Sequence, residues 1–342
     1  MVLSQRKDEL ELIVFFSLYS RNNMSTKFMD KLFADMKVVG KDDSKGLDGR
    51  ERADITVRQY IARLKKLNDD KPFNSLAFLK NVDGIVEQIK AKAKTTQAAY
   101  YSAVLVALSI AKSHKALLEK YKPHTVTVRE SIVEDRKSHE KNDKQKENII
   151  PMNDVNTIKN KLKEEVEALN KKKTLTEKEY EKYIQYVLLS LYTDIPPRRN
   201  QDYMYMVVVK KRPAVMDETK NYLIMNEKKF VFNKYKTSKT HGGQEIDVPD
   251  SLMNTLQAYF KHRPDMKKSN EVSLLLNYDG TETNKVNYIT RMLNKAFGKK
   301  IGASALRHIY LSDKYGEIQK EKEKDADAMG HTVDMASEYI KY

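Results

Sequence analysis

The chain has 342 residues, long enough for two domains that each bury their own core. Its 63 Lys and Arg residues against 48 Asp and Glu give a net charge of +15, which attracts polyanions and makes nucleic acid the first partner to consider. Cysteine is absent, which excludes disulfides, thiol catalysis and cysteine-ligated zinc, and fits a reducing intracellular compartment.

Apolar spacing predicts helices in the first part of the chain. Segments 56–67, 75–89 and 95–118 place apolar residues three or four apart, as one buried helix face requires. Residues 51–133 are therefore expected to form a helical domain, preceded at 1–50 by a more polar N-terminal arm or helical extension. The apolar run 10–19 is interrupted by Glu11 and too short for a membrane span, so we expect a soluble, intracellular protein with no membrane partner.

A charged stretch separates this domain from the rest of the chain. Residues 134–148 contain five basic and five acidic residues and no apolar one. Such a stretch cannot contribute to a core and is typical of a solvated linker or a frayed helix end. The second domain is therefore expected at 149–342.

The second domain mixes helix and strand signals. A helix is expected at 161–169, and the Thr176–Glu179 capping box predicts another, which Pro196-Pro197 ends. Alternation at 204–210, 222–225, 229–235 and 244–248 predicts strands, with His241-Gly242-Gly243 as a hairpin turn. Helices return after 251. The expected fold is mostly α with a small antiparallel sheet, an α+β domain behind a helical one.

Several residues have the chemistry for cleaving a phosphodiester without a metal. Such a reaction needs a nucleophile, cations on the phosphate oxygens and a proton donor for the leaving oxygen. Arg198 and Arg199 follow the proline stop, and Asp202 is spaced to brace the Arg199 guanidinium. Read alone, a double arginine after a helix is more often a solvated surface pair. Further along the chain, Arg307, His308, His331 and Tyr339 are candidates for the same chemistry. Each also has a purely structural interpretation: Arg307–His308 as a structural pair, His331 as a helix cap, and Tyr339 as an interfacial aromatic residue.

The order of these residues is more specific than any one of them. It resembles the tyrosine recombinase (phage integrase) family, whose signature runs arginine, hairpin lysine, His-x-x-Arg-His, Gly-His and tyrosine. The corresponding residues here are Arg199, Lys236 or Lys239, Ser304-x-x-Arg307-His308, Gly330-His331 and Tyr339. The Pro-Pro-Arg-Arg-Asn-x-Asp-Tyr segment is most similar to integrases of giant DNA viruses and their virophages. The resemblance covers about 149–342, and 73–121 match the family's core-binding (SAM-like) domain more weakly.

The resemblance implies a role for each matched residue. Arg199 and Arg307 would clamp the scissile phosphate, and His331 would support the phosphate or the nucleophile. Tyr339 would attack phosphorus, forming a 3′-phosphotyrosyl link and freeing a 5′-hydroxyl. The phosphotyrosyl bond preserves the energy of the broken bond, so rejoining needs no ATP, metal or other cofactor.

The resemblance also implies the partners and leaves one role ambiguous. Either Lys236 or Lys239 would be the general acid, with Lys236 slightly favoured because it begins a Lys-Thr-x-x-Thr pattern. The expected partner is double-stranded DNA, bound by a homotetramer during synapsis, and no small-molecule substrate is implied. A viral enzyme of this kind would act in the host nucleus or at the viral replication site.

The sequence departs from the family pattern at two places. Ser304 replaces the first histidine of His-x-x-Arg, and serine donates to phosphate but does not shuttle protons at neutral pH. That role would pass to the lysine or be weaker. Tyr339 lies eight residues after His331, the shorter family spacing, and Tyr342 is a rival nucleophile at eleven.

Two other functions are compatible with the same residues. A type IB topoisomerase shares the arginines and the tyrosine but relaxes supercoils as a monomer. A sequence-specific DNA-binding protein with lost catalysis is the second alternative, made less remote by Ser304. No phosphate-binding glycine loop and no metal-ligand histidine spacing occur in the sequence, whereas the many acidic residues leave a metal-dependent transposase triad open.

Overall fold

The structure, a computed structural model, describes residues 27–38, 51–110, 112–137, 140–267, 269–283 and 287–341. The chain divides into two units, Met1–Glu140 and Lys141–Tyr342. The division falls inside the charged stretch 134–148 that the sequence predicted as a linker. Much of that stretch is helical, because one helix runs on to Lys137 and a short one, capped by Asn142, occupies Asp143–Asn148.

The N-terminal unit is built from helices. They are α1 (Lys27–Lys37), α2 (Asp54–Leu67), α3 (Val82–Lys90), α4 (Lys94–Ser109) and α5 (Lys115–Lys137). Of the predicted arm, residues 1–26 and 39–50 lie outside the described residues. Within it, α1 places Leu32 and Met36 in the same core as Val57 and Leu64 of α2. This part of the arm therefore belongs to the packed helical unit.

Two helices predicted as continuous are interrupted in this unit. In 75–89, a 3-10 turn at Ala77–Lys80 precedes α3, and the Asn81 side chain accepts a hydrogen bond from the Gly84 N–H, at 3.3 Å. Asparagine caps a helix start better than it continues one, which explains the break. In 95–118, α4 ends at Ser109 and α5 begins at Lys115.

The C-terminal unit surrounds one long buried helix. Its helices are α6 (Asp143–Asn148), α7 (Met152–Leu169), α8 (Glu177–Thr193), α9 (Asn200–Met204), α10 (Ser238–His241), α11 (Asp250–Lys261), α12 (Tyr288–Phe297), α13 (Ala303–Ala328) and α14 (Val333–Tyr339). The predicted capping box opens α8: the Thr176 hydroxyl accepts from the Glu179 N–H, and the Glu179 carboxylate accepts from the Thr176 N–H. Hydrogen bonds from Lys172 and then from this N–H lower the pKa of Glu179 to about 2.

The sheet of this unit has five strands in the order β4-β3-β2-β1-β5. They are β1 (Met206–Val209), β2 (Asn221–Ile224), β3 (Lys229–Phe232), β4 (Gln244–Asp247) and β5 (Glu271–Ser273). The prediction of an antiparallel sheet was wrong for one pair, since β1 and β2 run parallel. Residues 210–220 carry the chain from the end of β1 back to the end of the sheet where β1 begins, without forming a strand. The alternation of side chains does not predict such a return. The coarser prediction, mostly helix with a small sheet, is confirmed.

A cluster of aromatic rings joins the sheet to α8 and α9. Tyr203 of α9 packs edge-on against Phe230 and Phe232 of β3, with both centroid distances 5.9 Å, and against Tyr192 of α8 at 5.7 Å. All four side chains are buried. Such edge-to-face contacts add to area burial and fix ring orientation. The start of α9 is thereby held in one place over the sheet.

Among the residues that the structure describes, no helix is both long enough and apolar enough to cross a bilayer.

Candidate phosphate-binding site

Arg198 is a structural residue at the junction between α8 and α9. Its Nε donates to Asp202 Oδ2 at 3.0 Å, and its Nη1 donates to Gln244 Oε1 of β4 at 2.9 Å. The guanidinium lies 3.8 Å from the centroid of the Phe232 ring. Only 13% of the Arg198 side chain and 3% of the Asp202 side chain are exposed. Arg198 thus fastens the start of α9 to the sheet.

The expectation that Asp202 braces Arg199 was wrong, because Asp202 bonds to Arg198 instead. Residues three and four apart both meet on a helix, and here the pair separated by four forms. Arg199 is the N-cap residue of α9 and is half-buried, and its guanidinium makes no hydrogen bond or ion pair with any described residue. Its neighbour Asn200 is fixed by hydrogen bonds from the Tyr192 hydroxyl and to the Thr290 hydroxyl, at 2.7 and 2.9 Å. The backbone at Arg199 is therefore anchored while its guanidinium stays unpaired.

Arg307 approaches the same place from α13. Its Nε donates to the Pro197 carbonyl at 3.1 Å, and its two terminal nitrogens have no hydrogen-bond partner among the described residues. Burial lowers the pKa of the Arg307 guanidinium, and the positive charge of Arg199 lowers it further. Two half-buried cations thus face a common space, where an anion would relieve their repulsion.

These arginines open onto a cleft of about 360 Å³. Its lining consists of Pro197, Arg198, Arg199, Asp202, Tyr235, Thr237, His241, Gln244 and Arg307. A guanidinium presents several N–H donors in a planar fork that fits two oxygens of a phosphate. The cleft therefore has the chemistry for a phosphodiester, with Arg199 and Arg307 as the unpaired donors.

The segment between β3 and β4 contributes two residues that the sequence analysis did not select. The strands pair antiparallel, as predicted, but residues 233–243 form a longer connection than a tight turn at His241-Gly242-Gly243, and it includes α10. Thr237 and His241 line the arginine cleft. Lys236 and Lys239, the two candidate general acids, are exposed and do not belong to its lining. In the sequence, His241 was marked only by the glycine pair that follows it, which predicts a turn and not a site residue.

Ser304 and His308 lie near the start of α13 but outside the cleft lining. Both side chains are exposed, whereas Arg307 between them is half-buried. Of the Ser-x-x-Arg-His segment, the structure thus brings only Arg307 to Arg199.

His331 and Tyr339 form a second group, at the far end of α13. Gly330 has a φ of +69°, and the N–H groups of Gly330 and His331 donate to the carbonyls of Asp327 and Ala326, at 3.0 and 2.8 Å. This pair of bonds is a Schellman motif, in which glycine supplies the left-handed residue. It explains why glycine precedes His331.

The rings of His331 and Tyr339 stack, with centroids 5.5 Å apart and an interplanar angle of 11°. The Thr332 hydroxyl caps α14 by accepting from the Met335 N–H at 3.2 Å, and α14 ends at Tyr339. His331 Nδ1 is buried and has no hydrogen-bond partner among the described residues, whereas 68% of Tyr339 is exposed. The expected neighbours are thus together, with the phenol open to solvent. Tyr342, the rival nucleophile, lies outside the described residues.

The two groups are separated by the length of α13. Arg307 is in its second turn, and 21 residues separate Arg307 from Ala328 at the helix end, a rise of roughly 30 Å at about 1.5 Å per residue. Lys322 donates to the Ser337 hydroxyl, which keeps α14 beside the last turns of α13. Tyr339 therefore lies on the order of 20 Å or more from Arg307 along this helix. The fold thus brings Arg199 and Arg307 together at the cleft and leaves Tyr339 far from both.

No family model, curated protein or solved structure matches this chain.

Proposed function

We propose that this protein is a site-specific DNA recombinase, an integrase that cuts and rejoins DNA through a covalent 3′-phosphotyrosyl intermediate. The observation that carries the proposal is the cleft in which Arg199 and Arg307 converge, neither of them paired with a carboxylate among the described residues. Unpaired cations held half-buried by the fold are costly to stability and are typical of a site that binds an anion. The chain's charge of +15 makes a nucleic acid phosphate the natural anion.

In the proposed cleavage reaction, Tyr339, Arg199, Arg307 and His331 each have one function. The Tyr339 oxygen attacks phosphorus, and the bond from phosphorus to the 5′ oxygen breaks. Arg199 and Arg307 bind the non-bridging oxygens, where negative charge builds in the transition state. His331, stacked on Tyr339, orients the phenol. Attack by the freed 5′-hydroxyl of a second strand on the phosphotyrosyl bond then regenerates tyrosine.

Strand exchange between two duplexes requires the proposed enzyme to assemble on DNA, and a homotetramer supplies one tyrosine for each of four strands. Double-stranded DNA is the proposed partner, bound largely through its phosphates. Its affinity should fall steeply with salt concentration, because each phosphate contact releases counterions.

A second candidate function is supported by the position of Tyr339. A phenol on the order of 20 Å from the arginines does not attack a phosphate that they hold. A DNA-binding protein without strand cleavage would need the arginine cleft and not the tyrosine. The integrase requires instead that α14 move or that Tyr339 of another molecule enter the cleft.

Covalent trapping separates these functions. Nicked duplexes of randomised sequence lose the short 5′-hydroxyl fragment after cleavage, so the adduct accumulates and can be isolated in denaturing detergent. We expect wild type to form the adduct and Tyr339→Phe to form none, with Tyr342→Phe as the matched control. No wild-type adduct would leave the DNA-binding function, and an adduct that survives Tyr339→Phe would assign the nucleophile to Tyr342.

The trapped sequences then provide the substrate that distinguishes an integrase from a topoisomerase. Two duplexes carrying the selected site should yield recombinant joints. Relaxation of a supercoiled plasmid carrying one site, without such joints, would favour the type IB topoisomerase.

A further inference from the structure

The arginine cleft has few groups able to protonate a leaving oxygen. A general acid must lie within hydrogen-bond reach of that oxygen, and therefore beside the bound phosphate. Arg198, Arg199 and Arg307 stay charged at any working pH and do not give up a proton. The Asp202 carboxylate is an acceptor that already binds Arg198. None of these four residues supplies the proton.

Apart from Gln244 of β4, an amide with no acidic proton, the segment between β3 and β4 supplies the remaining polar groups of the lining. The Tyr235 hydroxyl donates to the Gly242 carbonyl at 2.9 Å and is engaged there. Thr237 has an alcohol, which does not ionise near neutral pH. His241 has an imidazole, the side chain that serves most often as a general acid or base in enzymes. Among the described residues of the lining, His241 is thus the one suited to proton transfer.

The backbone around His241 is fixed by local hydrogen bonds. The His241 N–H donates to the Thr237 carbonyl at 3.1 Å, and the Gly242 N–H donates to the Ser238 carbonyl at 2.8 Å. Gly242 has a φ of +68°, which glycine adopts without strain. Tyr235, bonded to Gly242, has its ring 4.9 Å from the Arg198 guanidinium. These contacts connect the position of His241 to the anchored arginine.

The two lysines of the same segment do not share this placement. All three side chains are exposed, but Lys236 and Lys239 lie outside the cleft lining, whereas His241 belongs to it. Ser304, where the resemblance expects a histidine, is exposed on α13 as well. The imidazole at the cleft therefore comes from a different element than the resemblance predicts.

We infer that His241 is a catalytic residue that donates a proton to the leaving 5′ oxygen. The inference rests on the proposed function. As the Tyr339 oxygen bonds to phosphorus and the bond to the 5′ oxygen breaks, that oxygen takes the proton of the His241 imidazolium, and the phenolic proton passes to solvent. In rejoining, neutral His241 takes the proton back from the attacking 5′-hydroxyl. The negative phosphodiester offsets the charges of Arg198, Arg199 and Arg307 that face the imidazolium.

A sulfur-substituted substrate tests proton donation directly. When sulfur replaces the bridging 5′ oxygen at the scissile phosphate, the leaving group is a thiolate, which departs without a proton. His241→Gln should slow adduct formation on the oxygen substrate by about 10²- to 10⁴-fold and restore it to within a few-fold of wild type on the sulfur substrate. Lys236→Ala and Lys239→Ala are the matched variants of the same segment, expected to show no such selective rescue. Thermal melting and DNA binding check that each variant is folded.

Each other result overturns the inference. An oxygen-substrate rate of His241→Gln close to wild type would remove His241 from the reaction. A slow rate on both substrates would make it a phosphate ligand and not an acid. Selective rescue of either lysine variant would assign the proton to that lysine. If wild type forms no adduct on either substrate, the proposed function itself fails and takes the inference with it.

Discussion

The fold holds the arginine cleft more firmly than it holds residues 317–340, the tyrosine segment, which comprises the end of α13 and α14. Around the cleft, Arg198 is bonded to Asp202 and Gln244 and stacked on Phe232, so the start of α9 is tightly positioned. Around Tyr339, α14 packs on the end of α13, and the phenol is mostly exposed. Transition-state stabilisation needs donors that are already in place, whereas a nucleophile need only arrive.

The tyrosine segment also differs from the arginine cleft in charge and in exposed apolar side chains. The tyrosine segment contains seven acidic residues and three lysines, in a chain whose net charge is +15. Its net negative charge repels phosphate anions, whereas the arginines of the cleft attract them. Half of the fourteen large hydrophobic side chains that are exposed in the described residues also lie between Leu311 and Ile340. The tyrosine segment thus has few contacts to lose if it moves, and the cleft has many.

Removing either unpaired arginine should have the largest effect. Arg199→Ala or Arg307→Ala is expected to slow covalent-adduct formation by about 10²- to 10³-fold, the usual cost of one donor to a developing oxyanion. Single-turnover rates on the trapped substrate measure it. Arg291→Ala, an exposed arginine on α12, is the matched control and should stay near wild type. Rates within ten-fold of wild type for both cleft variants would show that the scissile phosphate lies elsewhere.

The next effect separates the two adjacent arginines by stability. Arg198→Ala leaves Asp202 buried without its cation, and should lower the free energy of unfolding by about 3 kcal/mol. Arg199→Ala removes no bond within the described structure and should change that free energy by less than about 0.5 kcal/mol. Urea denaturation measures both. Equal unfolding midpoints for Arg198→Ala and wild type would remove the structural role of Arg198.

Much of the fold around the site could be predicted from the sequence, because local signals determine it. The Thr176 capping box and the prolines after α8 bound that helix, and alternation located four of the five strands. Strand direction and the three-residue β5 depend on where the chain returns, and neither leaves a periodic pattern. These features had to come from the structure.

Of the predicted catalytic residues, only Arg199 and Arg307 line the cleft, and the sequence did not indicate how the residues of the cleft pair. Asp202 lies within helical reach of both Arg198 and Arg199, and only the stacking of Arg198 on Phe232 decides between them. His241 reaches the cleft through the conformation of residues 233–243, which no spacing rule specifies. The separation of Tyr339 from Arg307 follows from the unbroken length of α13, whereas the sequence order suggested one compact group.

The smallest expected effect concerns how Tyr339 reaches the arginines. Gly316 lies inside α13, and a Cβ added there would meet nothing within 4 Å. Alanine should therefore stabilise the helix by up to about 1 kcal/mol. If α13 bends at Gly316 to bring Tyr339 to the cleft, Gly316→Ala should melt higher yet slow adduct formation by roughly five-fold, the factor that about 1 kcal/mol represents. Ser312→Ala, an exposed position of the same helix, is the control and should leave the rate unchanged.

Mixing two inactive variants tests whether α13 bends or whether Tyr339 enters the cleft of another molecule. Arg307→Ala retains the tyrosine and Tyr339→Phe retains the cleft, so a mixture forms adduct only if the tyrosine of one molecule enters the cleft of another. With bending inside one chain, the mixture stays inactive and Gly316→Ala is slow. With exchange between molecules, the mixture regains activity and Gly316→Ala matches wild type. The two outcomes are opposed because a straight α13 keeps Tyr339 from its own cleft while leaving it exposed to a neighbour's.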